Sequence, residues 1–203
     1  MKMKRCFDLL LAVSAFIVLS PLLIAVAAAI YLTMGRPVFF RQTRPGLNGK
    51  PFQLIKFCTM TNGCDADGCL LPDCERLTRL GRWLRSTSLD ELPELFNIIK
   101  GDMSIVGPRP LLMQYLDRYT PEQARRHEVK PGLTGWAQIH GRNDISWEDK
   151  FNMDVWYVDH QSLWLDINII LMTVGKVLKR EGISQAGEAT AAEFMGHAGT
   201  QRR

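Results

Sequence analysis

The longest pattern in the chain is an unbroken apolar run. From Leu9 to Tyr31 the sequence reads LLLAVSAFIVLSPLLIAVAAAIY, 23 residues without a charge. As one helix it would reach about 35 Å, enough for a hydrocarbon core of about 30 Å. Lys2, Lys4 and Arg5 precede it, and Arg36, Arg41, Arg44, Lys50 and Lys56 follow. A cleaved signal peptide would explain the basic start, but the run is too long and no small-x-small cleavage site follows it. A spanning helix and a helix that enters and returns on one side both remain. Ser20-Pro21 falls in the middle, and an interior proline removes a backbone bond and crowds the preceding turn. Spanning helices tolerate proline when a nearby serine satisfies the freed carbonyl. The charges are more informative, because the positive-inside rule keeps basic flanks cytoplasmic and here both flanks are basic. Two arms of about 11 residues, each about 16 Å long, satisfy both flanks at once. Charge and break together lean toward this re-entrant helix–break–helix, with Ser20 shielding the break.

Beyond residue 35 the period changes. Apolar alternation in Val38-Phe39-Phe40 and Phe52-Gln53-Leu54-Ile55, separated by Pro45-Gly46 and Asn48-Gly49, predicts a β-hairpin. Residues 61–75 read as a polar loop. Leu77, Leu80 and Leu84 predict a short amphipathic helix from Leu77 to Arg85, and Leu92 to Lys100 predicts another, closed by Gly101. Gly/Pro turns at 107–110 and 131–135 bracket a helix expected near 111–127. Ser146 to Asp159 and Leu163 to Arg180 predict two more, which could pack in a core or lie on a membrane with Trp164 at the headgroups. The expected fold is α+β and mainly helical, with an anchor over residues 1–35 and one compact body over 36–203.

A chain of 203 residues suits a single body with a real core. No internal period suggests repeats. The net charge of +4 suits anionic lipid headgroups and phosphorylated substrates better than nucleic acid. Of the five cysteines, Cys58, Cys64, Cys69 and Cys74 crowd together, but their spacing lacks paired C-x-x-C knuckles. Reduced thiols are the expected state, and the odd count argues against a full disulfide framework.

The run most suggestive of chemistry is Ser86-Thr87-Ser88-Leu89-Asp90-Glu91-Leu92-Pro93-Glu94. Ser88 with Glu91 spells a capping box, and with Asp90 as the cap Pro93 falls in the first turn, where its missing N–H costs nothing. On local pattern alone, capping is the stronger reading. The same helix start would keep a carboxylate ionised and attract phosphate. Adjacent acids can hold Mg²⁺, which prefers oxygen ligands shared with substrate phosphates, and an ionised aspartate is a competent nucleophile toward phosphorus. Further on, Arg109 is pinned between Pro108 and Pro110, a stiff mount for a guanidinium whose fork matches phosphate oxygens. The run Pro131-Gly132-Leu133-Thr134-Gly135-Trp136-Ala137-Gln138-Ile139-His140-Gly141-Arg142-Asn143 ends in another arginine beside glycine.

Together these pieces resemble the bacterial sugar transferase family, the small monotopic phosphoglycosyl transferases. The matching stretches are the apolar segment with Ser20-Pro21, RQTRPGLNGKPFQLIKFCTM, RLTRLGRWLRSTSLDELPELFNIIKGDMSIVGPRP and PGLTGWAQIHGRN, in family order over nearly the whole chain. The tail GISQAGEATAAEFMG resembles the members that begin bacterial protein N-glycosylation with UDP-N,N'-diacetylbacillosamine. The resemblance implies that Asp90 attacks the sugar-linked phosphate of a UDP-sugar and releases UMP. Undecaprenyl phosphate then takes the phosphosugar from the aspartyl intermediate. It implies Mg²⁺ at Asp90 and Glu91, Glu91 as base or metal holder, and phosphate neutralisation by Lys56, Arg85, Arg109 and Arg142. Asp154 and Asp166 match recurrent polar positions as supports. It also implies a re-entrant break at Ser20-Pro21, interfacial helices around a cytosolic catalytic domain, and a place on the cytoplasmic face of the bacterial inner membrane, with downstream glycosyltransferases taking the product. The competing readings are a membrane-bound nucleotide-sugar or lipid-phosphate binding protein, in which Asp90 only caps a helix, and a lipid phosphatase-like hydrolase.

Overall fold

The computed structural model describes residues 2–65, 67–141, 145–179 and 193–196. Helix α1 (Lys2–Met34) takes in the whole apolar run and continues through Pro21. The structure therefore carries helix across the expected break. Its local chemistry explains how: Ser20 Oγ donates to the Ile17 carbonyl at 2.8 Å, the group that the missing Pro21 N–H leaves free. Among the described residues α1 is the one helix long and apolar enough to cross a membrane, and only 11% of its most apolar stretch is buried. Leu10, Ile17, Val18, Ile24 and Leu32 are exposed, whereas Asp8, Ala12, Leu23, Val26 and Ile30 form a buried stripe.

That stripe packs on the rest of the chain from one end of the helix to the other. At the start, Lys4 Nζ pairs with Asp166 Oδ2 at 2.6 Å, and Arg5 donates to the carbonyls of Ile98 at 2.5 Å and Ile99 at 2.8 Å. Asp8 accepts from Ser104 Oγ at 2.8 Å and from the Ile105 amide at 3.1 Å. Toward the other end, Leu23, Val26 and Ile30 pack on Phe57 and Leu84, and Thr78 Oγ1 donates to Met34 Sδ at 3.5 Å. Two anchor points about 45 Å apart along the helix thus belong to one body. Two of the three basic residues before the apolar run are committed to protein contacts.

The hairpin forms as expected, β1 (Phe39–Pro45) against β2 (Pro51–Phe57), antiparallel from Phe39↔Phe57 to Pro45↔Pro51. Asn48 at φ 55° and Gly49 at φ 70° make its turn. Phe52 and Leu54 point into a core with Ala12, Leu95, Ile98 and Met103. A short α2 (Asp73–Arg76) closes the polar loop, followed by α3 (Arg79–Ser86) and α4 (Glu94–Lys100), which Gly101 ends at φ 103°.

Two departures from the sequence reading follow. The Gly/Pro turns contain a parallel strand pair, β3 (Ser104–Val106) beside β4 (Gly132–Thr134). The pairing needs glycine, because a Cβ on Gly132 would meet the Gly107 nitrogen at 2.1 Å. The helix expected near 111–127 is instead a 3₁₀ turn (Met113–Arg118), α5 (Pro121–Ala124) and a second 3₁₀ turn (Arg125–His127). Pro121 stops any helix arriving from Met113, and Thr120 with Gln123 forms a full capping box that restarts one. After α6 (Trp136–His140) come α7 (Trp147–His160), capped by Ser146, and α8 (Leu163–Lys179). On α8, Asp166 and Ile169 are buried against the core while Trp164, Leu171 and Val174 share an exposed face.

Asp166 is fully buried, so removing its cation strands a carboxylate in the core. Lys4→Met is expected to cost about 3 kcal/mol, and Lys4→Met with Asp166→Leu to regain most of that. Denaturant unfolding in detergent measures both; equal loss in the single and double variants would deny the pair its structural role.

Candidate active site

The Asp90-Glu91 pair sits on a tight turn between two packed helices. Thr78 Oγ1 caps α3 by accepting from the Gly81 amide at 2.9 Å. Gly81 in turn lets α3 close on the Thr59 backbone, whose carbonyl oxygen a Cβ would meet at 1.9 Å. After α3, Ser88 adopts the left-handed conformation at φ 56° and a 3₁₀ turn follows over Leu89–Glu91. Leu89 and Leu92 are held by the cluster of Phe57 and Leu84, so apolar packing on both sides fixes the turn. Neither Ser88 at the start of this turn nor Pro93 at the start of α4 supplies a side-chain cap. The capping readings of Ser88 and Asp90 therefore give way. Pro93 places the helix start beyond Asp90, and the Asp90 carboxylate is left for other work.

Glu91 is clamped. Lys56, reaching from β2, pairs with Glu91 Oε1 at 2.7 Å and with Glu94 Oε1 at 3.2 Å. Arg109 donates to the same Glu91 oxygen through Nη2 and to Oε2 through Nη1 at 3.5 Å. Burial alone would raise the Glu91 pKa, but Arg109 and Lys56 outweigh it and hold the carboxyl well below the usual range. Asp90 moves the opposite way. Burial first, and then the charge of Glu91, push it up to about 6, against the pull of Lys56, Arg109 and Arg85. Glu94, buried behind them, is pushed up to about 7 by burial, with Lys56 opposing and Glu91 adding. Burial would lower the Lys56 ammonium, yet Glu91 beside it keeps it above its ordinary value. Two neighbouring carboxylates poised in opposite directions are suited to different tasks.

The other residues singled out in the sequence separate cleanly. Arg85 faces this site and donates through Nε to Thr59 Oγ1 at 3.1 Å. Asp154 is a support, pairing with the buried Arg126 at 2.7 Å, and Arg126 Nη2 donates to the Arg109 carbonyl at 2.8 Å. Asp166 belongs to the Lys4 and Tyr157 network, accepting from Tyr157 Oη at 2.6 Å. Arg142 lies outside the described residues. Glu94 closes the Ser86–Glu94 run without an assigned role there, and Arg126 falls outside every motif. Glu94 stands three residues after Glu91 near a helix start, a spacing that could have flagged it; Arg126 had no local signal.

Among the described residues no group of three His, Cys, Asp or Glu side chains is arranged to hold a metal ion by itself. A hard-oxygen site of the Mg²⁺ kind needs only one or two carboxylates plus substrate phosphates. Asp90 fits that pattern. Glu91 fits it less directly, since Lys56 and Arg109 already occupy its oxygens.

Residues 1–180 match the model of a family described as bacterial sugar transferase. The chain is 58% identical over 196 residues to the "Uncharacterized sugar transferase EpsL" of Bacillus subtilis (strain 168), covering 97% of each. It is 42% identical over 190 residues to the "UDP-glucose:undecaprenyl-phosphate glucose-1-phosphate transferase" of Caulobacter vibrioides, covering 86% of this chain and 69% of the relative. It is 39% identical over 198 residues to the "UDP-galactose-lipid carrier transferase" of Erwinia amylovora. The aligned part is 89% of this chain but only 41% of that longer protein.

Raising the Asp90 pKa from 3.8 to about 6 means that ionised Asp90 weakens the fold. Between those values the native state keeps a proton that the unfolded state has lost, so stability falls as pH rises through the window. Asp90→Asn removes that penalty. The variant is expected to be more stable than wild type at pH 7 by on the order of 2 kcal/mol, with the advantage gone below pH about 4. Unfolding curves at both pH values check it; a variant less stable at pH 7 would mean that the carboxylate is structural.

Proposed function

We infer that this chain, which belongs to the bacterial sugar transferase family, transfers a sugar-1-phosphate from a UDP-sugar to a polyprenyl phosphate and releases UMP. The observation that carries the reading is the opposite poise of Asp90 and Glu91 inside one basic enclosure. An uncommitted carboxylate with pKa about 6 is mostly ionised at neutral pH and remains basic enough to attack phosphorus. In the first step an Asp90 oxygen bonds to the sugar-linked phosphorus while the bond to the UMP phosphate breaks, and UMP leaves with that electron pair. In the second, a phosphate oxygen of the polyprenyl acceptor bonds to the same phosphorus, and Asp90 departs as carboxylate. Lys56, Arg85 and Arg109 supply positive charge where the phosphates must sit. Glu91 keeps Lys56 and Arg109 in place before the donor arrives, which makes the pocket preorganised rather than merely basic. Asp90 would hold Mg²⁺ together with the donor's phosphates, and the ion, when bound, neutralises diphosphate charge.

The relatives named for a substrate carry UDP-glucose and UDP-galactose in their names, and undecaprenyl phosphate or a lipid carrier as acceptor. The tail resemblance favours N,N'-diacetylbacillosamine instead, so the three donors form the panel to test. The membrane reading is a same-side return of α1 at the cytoplasmic face of the inner membrane. Its supports are the contacts of one body with both ends of α1 and the basic residues on both flanks of the apolar run. Such a return keeps the soluble donor and the lipid headgroup at one surface.

The chemistry is tested without lipid acceptor. Purified protein with Mg²⁺ and each donor is expected to release one equivalent of UMP and to gain a phosphosugar mass with the accepted donor. Asp90→Asn should show neither, and in wild type the release rate should climb through pH about 6 as Asp90 ionises. Wild-type turnover by Asp90→Asn would exclude Asp90 as nucleophile.

A further inference from the structure

The described tail residues 193–196 return to the catalytic body, and Phe194 fills a socket of Tyr115, Tyr119, Trp147 and Phe151. The ring centroids lie 4.9 Å from Phe151, 5.6 Å from Tyr115 and Trp147, and 5.9 Å from Tyr119. Polar bonds close the lid of the socket. The Phe194 amide donates to Tyr115 Oη at 3.1 Å, and Arg118 donates to the Phe194 carbonyl. Glu193 accepts from Arg118 at 2.8 Å and from Gln114 at 2.6 Å. Chain ends are poorly held unless something ties them down, and here one phenyl ring and four hydrogen bonds do so.

The socket adjoins the mount of Arg109 by two routes. Leu111 and Leu112, just after Arg109 and Pro110, pack against the same aromatic cluster. Tyr119 and Phe151, both touched by Phe194, also face the Arg126 guanidinium at 5.8 Å and 5.7 Å. Arg126 in turn donates to the Arg109 carbonyl at 2.8 Å. The Arg109 side chain is 44% exposed and meets Glu91 at its tip, so the reach and angle of that contact depend on where the Arg109 backbone is held.

We propose that Phe194 is a positioning residue for the donor site: by filling the aromatic socket it holds the Arg109–Leu112 run and so aims the Arg109 guanidinium at the dyad. The proposal rests on reading Arg109 as a phosphate-binding group. Without the ring the socket relaxes, the arginine loses its fixed mount, and donor affinity falls while Asp90 chemistry is retained.

The test is steady-state kinetics on the full chain, with the donor that gives the covalent adduct. Phe194→Ala is expected to raise KM for the donor on the order of 10-fold with kcat within about 3-fold, and Phe194→Leu to recover most of the loss. Arg109→Ala with Phe194→Ala should show the KM of Arg109→Ala alone, since both changes remove one interaction. If Phe194→Ala does not fold, Glu193→Ala, which releases two side-chain bonds, replaces it in the cycle and is expected to give a smaller rise of the same kind. Additive effects on KM, or a fall in kcat with KM unchanged, would overturn the proposal. If Arg109→Ala alone leaves KM unaltered, the phosphate-binding reading fails first and the proposal falls with it, which separates the two failures.

Discussion

Everything in this fold is arranged around a helix whose outer face is apolar and exposed and whose two ends are built into one protein body. Lys4, Arg5 and Asp8 are committed to Asp166, to the carbonyls ending α4 and to strand β3. Ile30 and Met34 are committed to the layer under α3. A buried ion pair is weak as a source of net stability but costly to break. That makes it a good device for fixing where a helix begins. The turn that carries Asp90 and Glu91 lies on the same layer, because Leu89 and Leu92 share their cluster with Leu23, Val26 and Ile30. Helix α1 and the candidate site are therefore one packing problem, and the placement of one sets the placement of the other.

Within that frame the site is governed by an imbalance of charge. Three carboxylates, Asp90, Glu91 and Glu94, crowd toward Lys56 and Arg109. Glu91 takes both cations through short contacts and Glu94 shares Lys56, while burial first, with the Glu91 charge adding to it, raises the pKa values of Asp90 and Glu94. On the proposed function, an incoming diphosphate would offer the same cations a second partner, and donor binding would be an exchange of anions at Lys56 and Arg109 with little new charge to bury. Arg126 steadies this arrangement from beneath, its charge matched by Asp154.

Much of this was legible in the sequence, for identifiable reasons. The apolar run, the hairpin, α3 and α4 each carry a strong local period or a Gly stop, so local physics and the fold agree. The dyad was visible as a motif, although the local pattern favoured capping; only the structure shows that Pro93 moves the helix start past Asp90. The β3–β4 pair was hidden because three-residue strands have no period to detect, and the glycines that permit the close pairing also look like turns. The helix expected near 111–127 failed at Pro121, where a capping box makes a new start. Arg126 could not be found, since its role comes from contacts with Asp154 and the Arg109 carbonyl, far away in sequence.

The claim on which the account depends is that both ends of α1 face the same compartment. Cys6 near the start of α1 and Cys64 in the polar loop are both exposed free thiols, one on each side of the apolar run. With the other cysteines replaced, a membrane-impermeant maleimide can interrogate each in intact cells and in inverted vesicles. The account predicts that both thiols react in inverted vesicles and neither in intact cells. Labelling of Cys6 in intact cells, with Cys64 reactive only in inverted vesicles, would contradict it.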